Sequence, residues 1–393
     1  MEETGSRSWL YRLCAGHFLV DTYSSMLGAF LPFLHESLNL TLTQAGLLGG
    51  GLILSGSFLQ PLYGFLADHV RHKVIFALGP AIAGIFISSL GLAPGFWTLL
   101  TLVILGGIGI ATFHPQAVSM VSSASRRRQG VHVSFFIASG MIGYACGPIY
   151  IGTLISLIGL QNSYWAALPG VGISIYLLAV GPSPAKKSQQ EQDRSLLPDL
   201  GRHFNLLANL FVLVVLRSAV QLVWVAFLPL LFTLRGHGEL VGSQVLSLFL
   251  LLGGTASFFG GVLNDRIGGK KVILISHLGF APLLMLSLQT QGLASMLLTV
   301  LGGGFLLLTL PVHVLMAQRT IPHGASTVSA LMMGFAWGVG GVAVPIVGFL
   351  SDQIGLENTL MALLVLTLPA VLVAAYLPVS GSAFKTVPAT SKT

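Results

Sequence analysis

Two residues of one apolar run have side chains that together can hold a proton. Asp21 lies inside the apolar run 11–34, and His17 precedes it by four residues. In a helix this spacing places both side chains on one face, about one turn apart. An imidazole binds and releases a proton near neutral pH. The pair therefore predicts a proton-binding site; the alternative is that Asp21 only holds helices together.

The apolar run 206–234 contains a single cation, Arg217. A guanidinium presents a planar fork of donors that fits a carboxylate or a phosphate. Arg217 therefore predicts contact with an anionic substrate, and Gln221, one helical turn later, can add a polar contact. A structural ion pair between Arg217 and Asp21 is the alternative.

Two further histidines lie beside prolines in apolar runs. His114 precedes Pro115, and His313 follows Pro311. Proline frees a backbone carbonyl and permits a helix to bend. We therefore predict that both histidines line a substrate cavity or its gate. The alternative is that each is a buried histidine whose hydrogen bonds are merely structural.

No sequence motif indicates catalysis or a bound cofactor. The chain lacks the glycine-rich loop with Gly-Lys-Ser/Thr that cradles nucleotide phosphates, and it has no Cys/His spacing typical of zinc. We expect no enzyme activity, no cofactor and no metal site. Without a nucleotide site, the energy for any transport must come from an ion gradient, and His17 with Asp21 makes protons the first choice.

The elements that carry these residues are too apolar for water. Hydrophobic residues make up 54% of the 393 residues, and charged residues make up 8%, whereas a soluble domain has roughly 25% charged residues. A transmembrane helix needs about 20 apolar residues. The predicted fold is an all-α membrane protein with twelve transmembrane helices, in the apolar runs 11–34, 44–67, 74–93, 97–121, 131–158, 162–181, 206–234, 242–263, 272–290, 293–318, 325–350 and 355–377.

Lysine and arginine gather in alternate loops. If the N-terminus is cytoplasmic, 17 of the 19 Lys and Arg residues fall in cytoplasmic segments, and only Arg217 and Arg235 do not. The positive-inside rule then predicts a protein of the cell inner membrane with both termini in the cytoplasm. The net charge of +7 is explained without a nucleic-acid partner, and 126–128, three successive arginines, suit contact with anionic lipids.

The chain contains an internal duplication. Asp265 follows Asp68 by 197 residues within similar loops, and Pro345 follows Pro148 by the same interval. Two distant anchors in one register predict two six-helix halves, 1–181 and 206–393, joined by a hydrophilic cytoplasmic linker at 182–205. Equivalent loops lie on the same side, so the halves are expected to be related by a pseudo-two-fold axis along the membrane normal.

These features resemble the major facilitator superfamily. The loop around Asp68 is similar to the signature loop of that superfamily, and the segment from Gly140 to Pro148 is similar to a motif frequent in its antiporters. The resemblance implies that the first helix of each half lines a central cavity. We also expect acids and bases of the repeated loop to form a cytoplasmic gate that pairs in one state and separates in the other; the alternative is a plain positive-inside anchor. These gate residues are Asp68, Arg71, Asp265 and Arg266.

A narrower resemblance is to the fosmidomycin-resistance branch of bacterial exporters. The stretches that carry it are His17 to Asp21, Gln60 to Gly64, Phe113 to Pro115, and the run from Ala317 through Gly341 to Asp352. The sequence departs from the branch at three positions. Val20 replaces an asparagine, and Gln116 and Arg319 each replace an acid.

The predicted function is secondary active transport of a small anionic organic compound by alternating access, with proton-coupled export as the leading hypothesis. The expected partners are the substrate, protons and membrane lipids, and we expect a monomer. An importer or uniporter of an organic acid or phosphorylated metabolite is one alternative. A membrane receptor or assembly factor that transports nothing is another.

Overall fold

The computed structural model describes residues 2–58, 60, 62–63, 73–123, 129–181, 197–321 and 324–378, and no strand occurs in these ranges. Helices dominate because a backbone in lipid must satisfy its hydrogen bonds within its own segment. Ten helices of the described part are long and apolar enough to cross a membrane. The chain is therefore an all-α, multi-pass membrane protein.

The first group of helices runs to residue 180. Helix α1 ends before Asn39, whose φ of 50° turns the chain. Thr41 and Gln44 then cap α2 reciprocally: the Gln44 amide donates to Thr41 Oγ1 over 3.1 Å, and the Thr41 amide donates to Gln44 Oε1 over 3.0 Å. The bounds are α1 Glu2–Leu38, α2 42–58 with a π-helical end at Leu54–Phe58, α3 Lys73–Leu92, α4 Phe96–Ser123, α5 Gln129–Ile158 and α6 Leu160–Val180.

The second group follows a short helix at Leu197–Arg202. One of its helices is interrupted between Leu307 and Leu310, just ahead of Pro311, as expected where proline removes a backbone donor. Another contains a π-helical stretch, Leu331–Phe335. The bounds are α7 Phe204–Leu234, α8 Glu239–Ile267, α9 Gly269–Gln289, α10 Gly292–Thr320, α11 325–354 and α12 Leu356–Tyr376.

The ten spanning helices match the last ten predicted runs, with ends that differ by at most four residues. The first predicted run, 11–34, lies within the 37-residue helix α1, which also carries Arg12 and Asp21. The second run, 44–67, extends into residues outside the described part. Twelve spanning helices therefore stay a prediction.

Glycines of α5 let this helix contact the backbone of α1. A Cβ at Gly143 would collide with the backbone of Phe18, and one at Gly147 would collide with Thr22 and Ser25. Small residues allow membrane helices to approach this closely. The approach fixes the segment of α1 that carries His17 and Asp21 against α5.

The two groups of helices contact each other along α2 and α11, from the start of α2 as far as Phe58, which lies against Gly338. Gly46 of α2 lies against Val344 and Gly348 of α11. Asp352 at the end of α11 accepts hydrogen bonds from the amides of Leu42 and Thr43, over 2.9 and 2.8 Å, and one from the Thr43 hydroxyl. A carboxylate from the second group therefore caps the first turn of α2, where free amides favour an anion.

Candidate functional site

Asp21 lies between two histidines that come from different helices. His17 Nε2 is 3.2 Å from Asp21 Oδ2, and His114 Nε2 is 3.0 Å from Asp21 Oδ1. His17 and Asp21 are close together because they lie four residues apart on α1. His114, for which the sequence predicted substrate binding, is placed by α4 against the carboxylate, and its contact with a substrate stays a prediction. We call His17, Asp21 and His114 the acidic trio.

The second ring nitrogen of each histidine faces a backbone carbonyl. His17 Nδ1 is 2.8 Å from the Phe136 oxygen, and His114 Nδ1 is 2.9 Å from the Ile110 oxygen. A carbonyl only accepts, so each Nδ1 carries a hydrogen. Each contact between Nε2 and the carboxylate then needs one further proton, on either atom. When both contacts are hydrogen bonds, the acidic trio has one net positive charge. Loss of one proton leaves the lone pair of one Nε2 facing a lone pair of the carboxylate.

Packing holds the acidic trio and leaves it partly accessible. The rings of Phe136 and His17 stack with centroids 3.9 Å apart. A Cβ at Gly140 of α5 would lie only 2.6 Å from His17 Nε2, so only glycine leaves room here. The Asp21 and His114 side chains keep 18% and 19% of their surface exposed. A proton or small ligand can therefore reach the carboxylate without unfolding the helices.

Arg217 of α7 is buried, with 2% of its surface exposed. Its Nη1 donates to Gln221 Oε1 over 2.5 Å, and its Nη2 donates to Ser218 Oγ over 3.1 Å. The Trp337 ring lies 5.6 Å from the guanidinium carbon. Within the described ranges, no carboxylate pairs with Arg217, and the predicted alternative of an ion pair with Asp21 is not formed. Gln221 orients the guanidinium, and the positive charge stays uncompensated.

Two buried histidines interact electrostatically with Arg217. His313 of α10 was predicted as a substrate contact, and His277 of α9 was not predicted at all. Both donate Nδ1–H to the carbonyl four residues earlier, over 3.0 Å for His313 and 2.9 Å for His277. His277 Nε2, His313 Nε2 and Arg217 Nε have no hydrogen-bond partner among the residues that the structure describes. We call Arg217, Gln221, His277 and His313 the basic pocket.

Gln116, like His277, is a buried polar residue that the sequence did not predict as a site residue. It is buried, and neither its amide nitrogen nor its oxygen has a partner within the described part of the chain. The sequence did mark this position, because Gln116 replaces an acid of the fosmidomycin-resistance branch. An unpaired amide in a buried place is costly, so Gln116 is a further candidate for contact with a polar ligand.

The predicted cytoplasmic gate is only partly visible. Asp68 and Arg71 lie outside the described residues. Asp265 accepts a hydrogen bond from Arg319 Nη2 over 2.6 Å, so its partner here belongs to the same group of helices. Arg266 is exposed. Arg319, which departs from the resembled branch, thus pairs with Asp265, and a gate between the two groups stays a prediction.

Comparison with known proteins places these features in a family. The family model described as the Major Facilitator Superfamily matches residues 13–345 and, in a second match, 210–391. The uncharacterized MFS-type transporter YfnC of Bacillus subtilis is 27% identical over 380 residues, which cover 93% of this chain and 89% of the relative. The Fosmidomycin resistance protein of Escherichia coli is 26% identical over 351 residues, covering 87% of this chain and 86% of the relative.

The fold is also similar to that of solved transporters. A bacterial homolog of the human lysosomal transporter Spinster, in an inward-facing conformation, aligns with a TM-score of 0.80 at 15% identity and covers 94% of this chain and 96% of its own. The nucleoside transporter NupG aligns with a TM-score of 0.76 at 13% identity, over 94% of this chain and 98% of its own. At such identities the likeness concerns the fold alone.

Proposed function

The chain belongs to the major facilitator superfamily, and on this premise we propose that it exports a small anionic organic compound in exchange for protons. Membership makes it a transporter and not an enzyme. The anionic substrate, the proton coupling and the direction of transport are the parts that we propose.

One observation carries this proposal: the buried cation Arg217 and the partly accessible carboxylate of Asp21 are kept apart, each with its own histidines. The Asp21 carboxylate is bonded by His17 and His114, whereas Arg217 has no carboxylate partner in the described part of the chain. A buried cation without a counter-ion is costly. An anionic substrate that binds in the basic pocket would supply the missing charge, with donors from Arg217 Nε and from His277 and His313 once these are protonated.

The acidic trio supports proton coupling, because its hydrogen bonds form and break with its proton count. Loss of a proton removes one contact between Asp21 and a histidine, and this frees α4 to shift relative to α1. A change in proton count can therefore bias one arrangement of the helices over another, as antiport requires. His17 and Asp21 keep their predicted role, and we add His114 to the coupling site.

The family supports the rest of the architecture that we propose: twelve spans in two halves, 1–181 and 206–393, with 182–205 and both termini in the cytoplasm. Gly159 after α5 and Gly355 after α11 have φ of 85° and 86°, and they lie 196 residues apart, one fewer than the interval between the repeated loops. In this orientation the contacts of Gly46 and Asp352 lie on the outer side and hold it closed. Export is favoured because relatives carry the names Fosmidomycin resistance protein and Multidrug resistance protein MdtG.

The experiment that tests anion binding is a thermal-shift screen on the purified protein and Arg217→Ala. Phosphonates, sugar phosphates and carboxylates are compared with neutral compounds of matched size. A ligand that binds only the folded state raises the Tm by mass action. We expect anions to raise the Tm of the parent protein and Arg217→Ala to weaken binding at least about tenfold, or roughly 1.4 kcal/mol.

Two variants control this measurement. Arg202→Ala removes an exposed arginine of the short helix Leu197–Arg202 and should leave the shift unchanged. Arg217→Lys keeps the charge but loses the planar fork, so it should restore little of the binding. Anion binding of parental strength in folded Arg217→Ala would refute the role of the basic pocket.

A further inference from the structure

The two histidines of the acidic trio are held in the manner of metal ligands. In a metal site, the ring nitrogen that does not bind the ion almost always donates to a carbonyl or carboxylate, which fixes the tautomer and aims the other nitrogen at the metal. Phe136 and Ile110 supply such carbonyls here, to Nδ1 of His17 and His114. The Nε2 lone pairs of both histidines then converge on the Asp21 carboxylate.

We propose that His17, Asp21 and His114 bind a divalent transition-metal cation of the zinc class, at the place where the trio otherwise holds protons. Two imidazoles and one carboxylate are a ligand set that such ions accept. Three protein ligands leave a fourth position for water or for an oxyanion. Sequence spacing could not predict this site, because His114 joins it only through the packing of α4 against α1.

The distances within the acidic trio fit this ligand set. One ligand atom from each of the three side chains lies within 4.8 Å of the others. Bonds of about 2.0–2.2 Å in a tetrahedral site put neighbouring ligand atoms roughly 3.3 Å apart. His17 Nε2 is 3.2 Å from Asp21 Oδ2 and His114 Nε2 is 3.0 Å from Asp21 Oδ1, so each imidazole already lies near this distance from one oxygen of the carboxylate. Gly140 provides the space beside the carboxylate, because any side chain there would occupy it.

Charge conservation also favours the exchange. With both Nε2-to-carboxylate contacts protonated, the acidic trio has one net positive charge. A divalent ion that displaces these two protons to solvent, with both Nδ1–H groups retained, leaves the same net charge on two neutral imidazoles and one carboxylate. The net charge inside the helices, where the dielectric constant is low, is therefore the same with the metal ion as with the two protons. Among the described residues, Tyr144 of α5 also interacts electrostatically with Asp21, and as a neutral phenol it does not alter this balance.

The site overlaps the proposed proton-coupling site but does not depend on transport of any substrate. The test is isothermal titration of the full chain, purified without a polyhistidine tag, with ZnCl2. Repeating it in buffers of different ionisation enthalpy counts the protons released. We expect one ion per chain, release of about two protons where the trio is protonated, and affinity that weakens by up to about 100-fold per unit of falling pH.

Variants assign the binding to the acidic trio. His17→Gln, His114→Gln and Asp21→Asn should each weaken zinc binding at least about tenfold, whereas His203→Gln, at the start of α7, should leave it unchanged. Melting curves without metal identify any variant that fails to fold, and the visible spectrum of bound Co²⁺ reports tetrahedral coordination independently of affinity.

The outcomes are distinct. Loss of zinc binding in folded variants of the trio, with His203→Gln unchanged, supports the site. No zinc binding by the parent chain overturns it, as does binding that persists unchanged in all three trio variants. A parent chain that binds zinc but shows no proton-driven transport would retain the metal site and refute the proposed function instead.

Discussion

Four histidines lie next to two charges inside the helices, the partly accessible Asp21 and the buried Arg217, and their ring nitrogens determine how each charge can be paired. His17 and His114 aim Nε2 at a carboxylate. His277 and His313 lie beside a guanidinium, and their Nε2 atoms have no partner in the part of the chain that the structure describes. His17 and His114 share protons with Asp21, which is part of the chain. His277 and His313 face a cation, so their protonation becomes favourable only when an anion binds beside them.

This difference predicts the pH dependence of anion binding. A protonated Nε2 donates to an anion, while an unprotonated one presents a lone pair to it, so affinity in the basic pocket should rise as pH falls. Replacing both His277 and His313 by glutamine should flatten this dependence, because glutamine donates a hydrogen bond at every pH. The measurement is the dissociation constant of the best anion from the thermal-shift screen, between pH 5.5 and 8.

The control for this prediction is His35→Gln, since His35 lies at the end of α1 and bonds the Leu40 carbonyl instead of facing either charge. It should keep the parental pH profile. If the double variant also keeps the parental slope, the two histidines do not contact the anion.

Helix α5 positions the acidic trio, because its glycines allow direct contact with α1. Gly140 lies against His17 and Asp21, and Gly143 lies against the backbone of Phe18. The carbonyl of Phe136, one turn earlier on α5, fixes the ring of His17. One helix thus supplies both the close approach and the hydrogen bond that orients the histidine.

Gly140→Ala tests this arrangement. Its methyl group would overlap His17, and overpacking of this kind costs about 1–3 kcal/mol of stability. We expect a lower Tm and loss of zinc binding. Gly172→Ala is the matched control, because a Cβ at Gly172 of α6 meets nothing within 4 Å, and alanine there should be neutral or slightly stabilising. Equal Tm values for the two variants would contradict the packing account.

The sequence predicted more of the helices than of the site. A continuous apolar run of about 20 residues crosses lipid as a helix, so the positions of the helices followed from composition. The spacing of His17 and Asp21 placed both side chains on one face. Contacts between helices did not follow in this way. His114 reaches Asp21, and His277 approaches Arg217, only through tertiary packing that no local pattern encodes. Adding the interval of 197 residues to His114 gives position 311, two residues before His313. Each of these histidines lies beside the charge of its own group of helices.

At the scale of the whole molecule, a hydrogen-bonded cap joins the two groups of helices at the start of α2. Asp352 crosses between them to cap α2, with bonds from Leu42 and Thr43. In the proposed orientation this cap closes the outer side. Alternating access then requires that the cap break whenever the outer side opens.

Asp352→Asn should weaken this closure. The carboxylate accepts through both of its oxygens from Leu42 and Thr43, whereas a carboxamide has only one acceptor oxygen. We expect the outward-open population to increase. Spin labels on cysteines at Gln161 and Gln291, in a chain without Cys14 and Cys146, would report the separation of the outer ends. Gln353→Ala, at the exposed neighbouring position, should leave the distance distribution unchanged. A distribution in Asp352→Asn that matches the parent would exclude Asp352 as an outer latch.

The central claim, that Asp21 couples proton movement to transport of an anion, is tested most directly in reconstituted vesicles with an imposed pH gradient. The substrate is the anion that gives the largest thermal shift. Asp21→Asn should still exchange labelled for unlabelled substrate, because the basic pocket is intact, but it should fail to accumulate substrate against its gradient. His17→Gln should accumulate substrate more slowly, with a shifted pH optimum. Accumulation by Asp21→Asn at the parental rate would contradict the account and place the coupling site elsewhere.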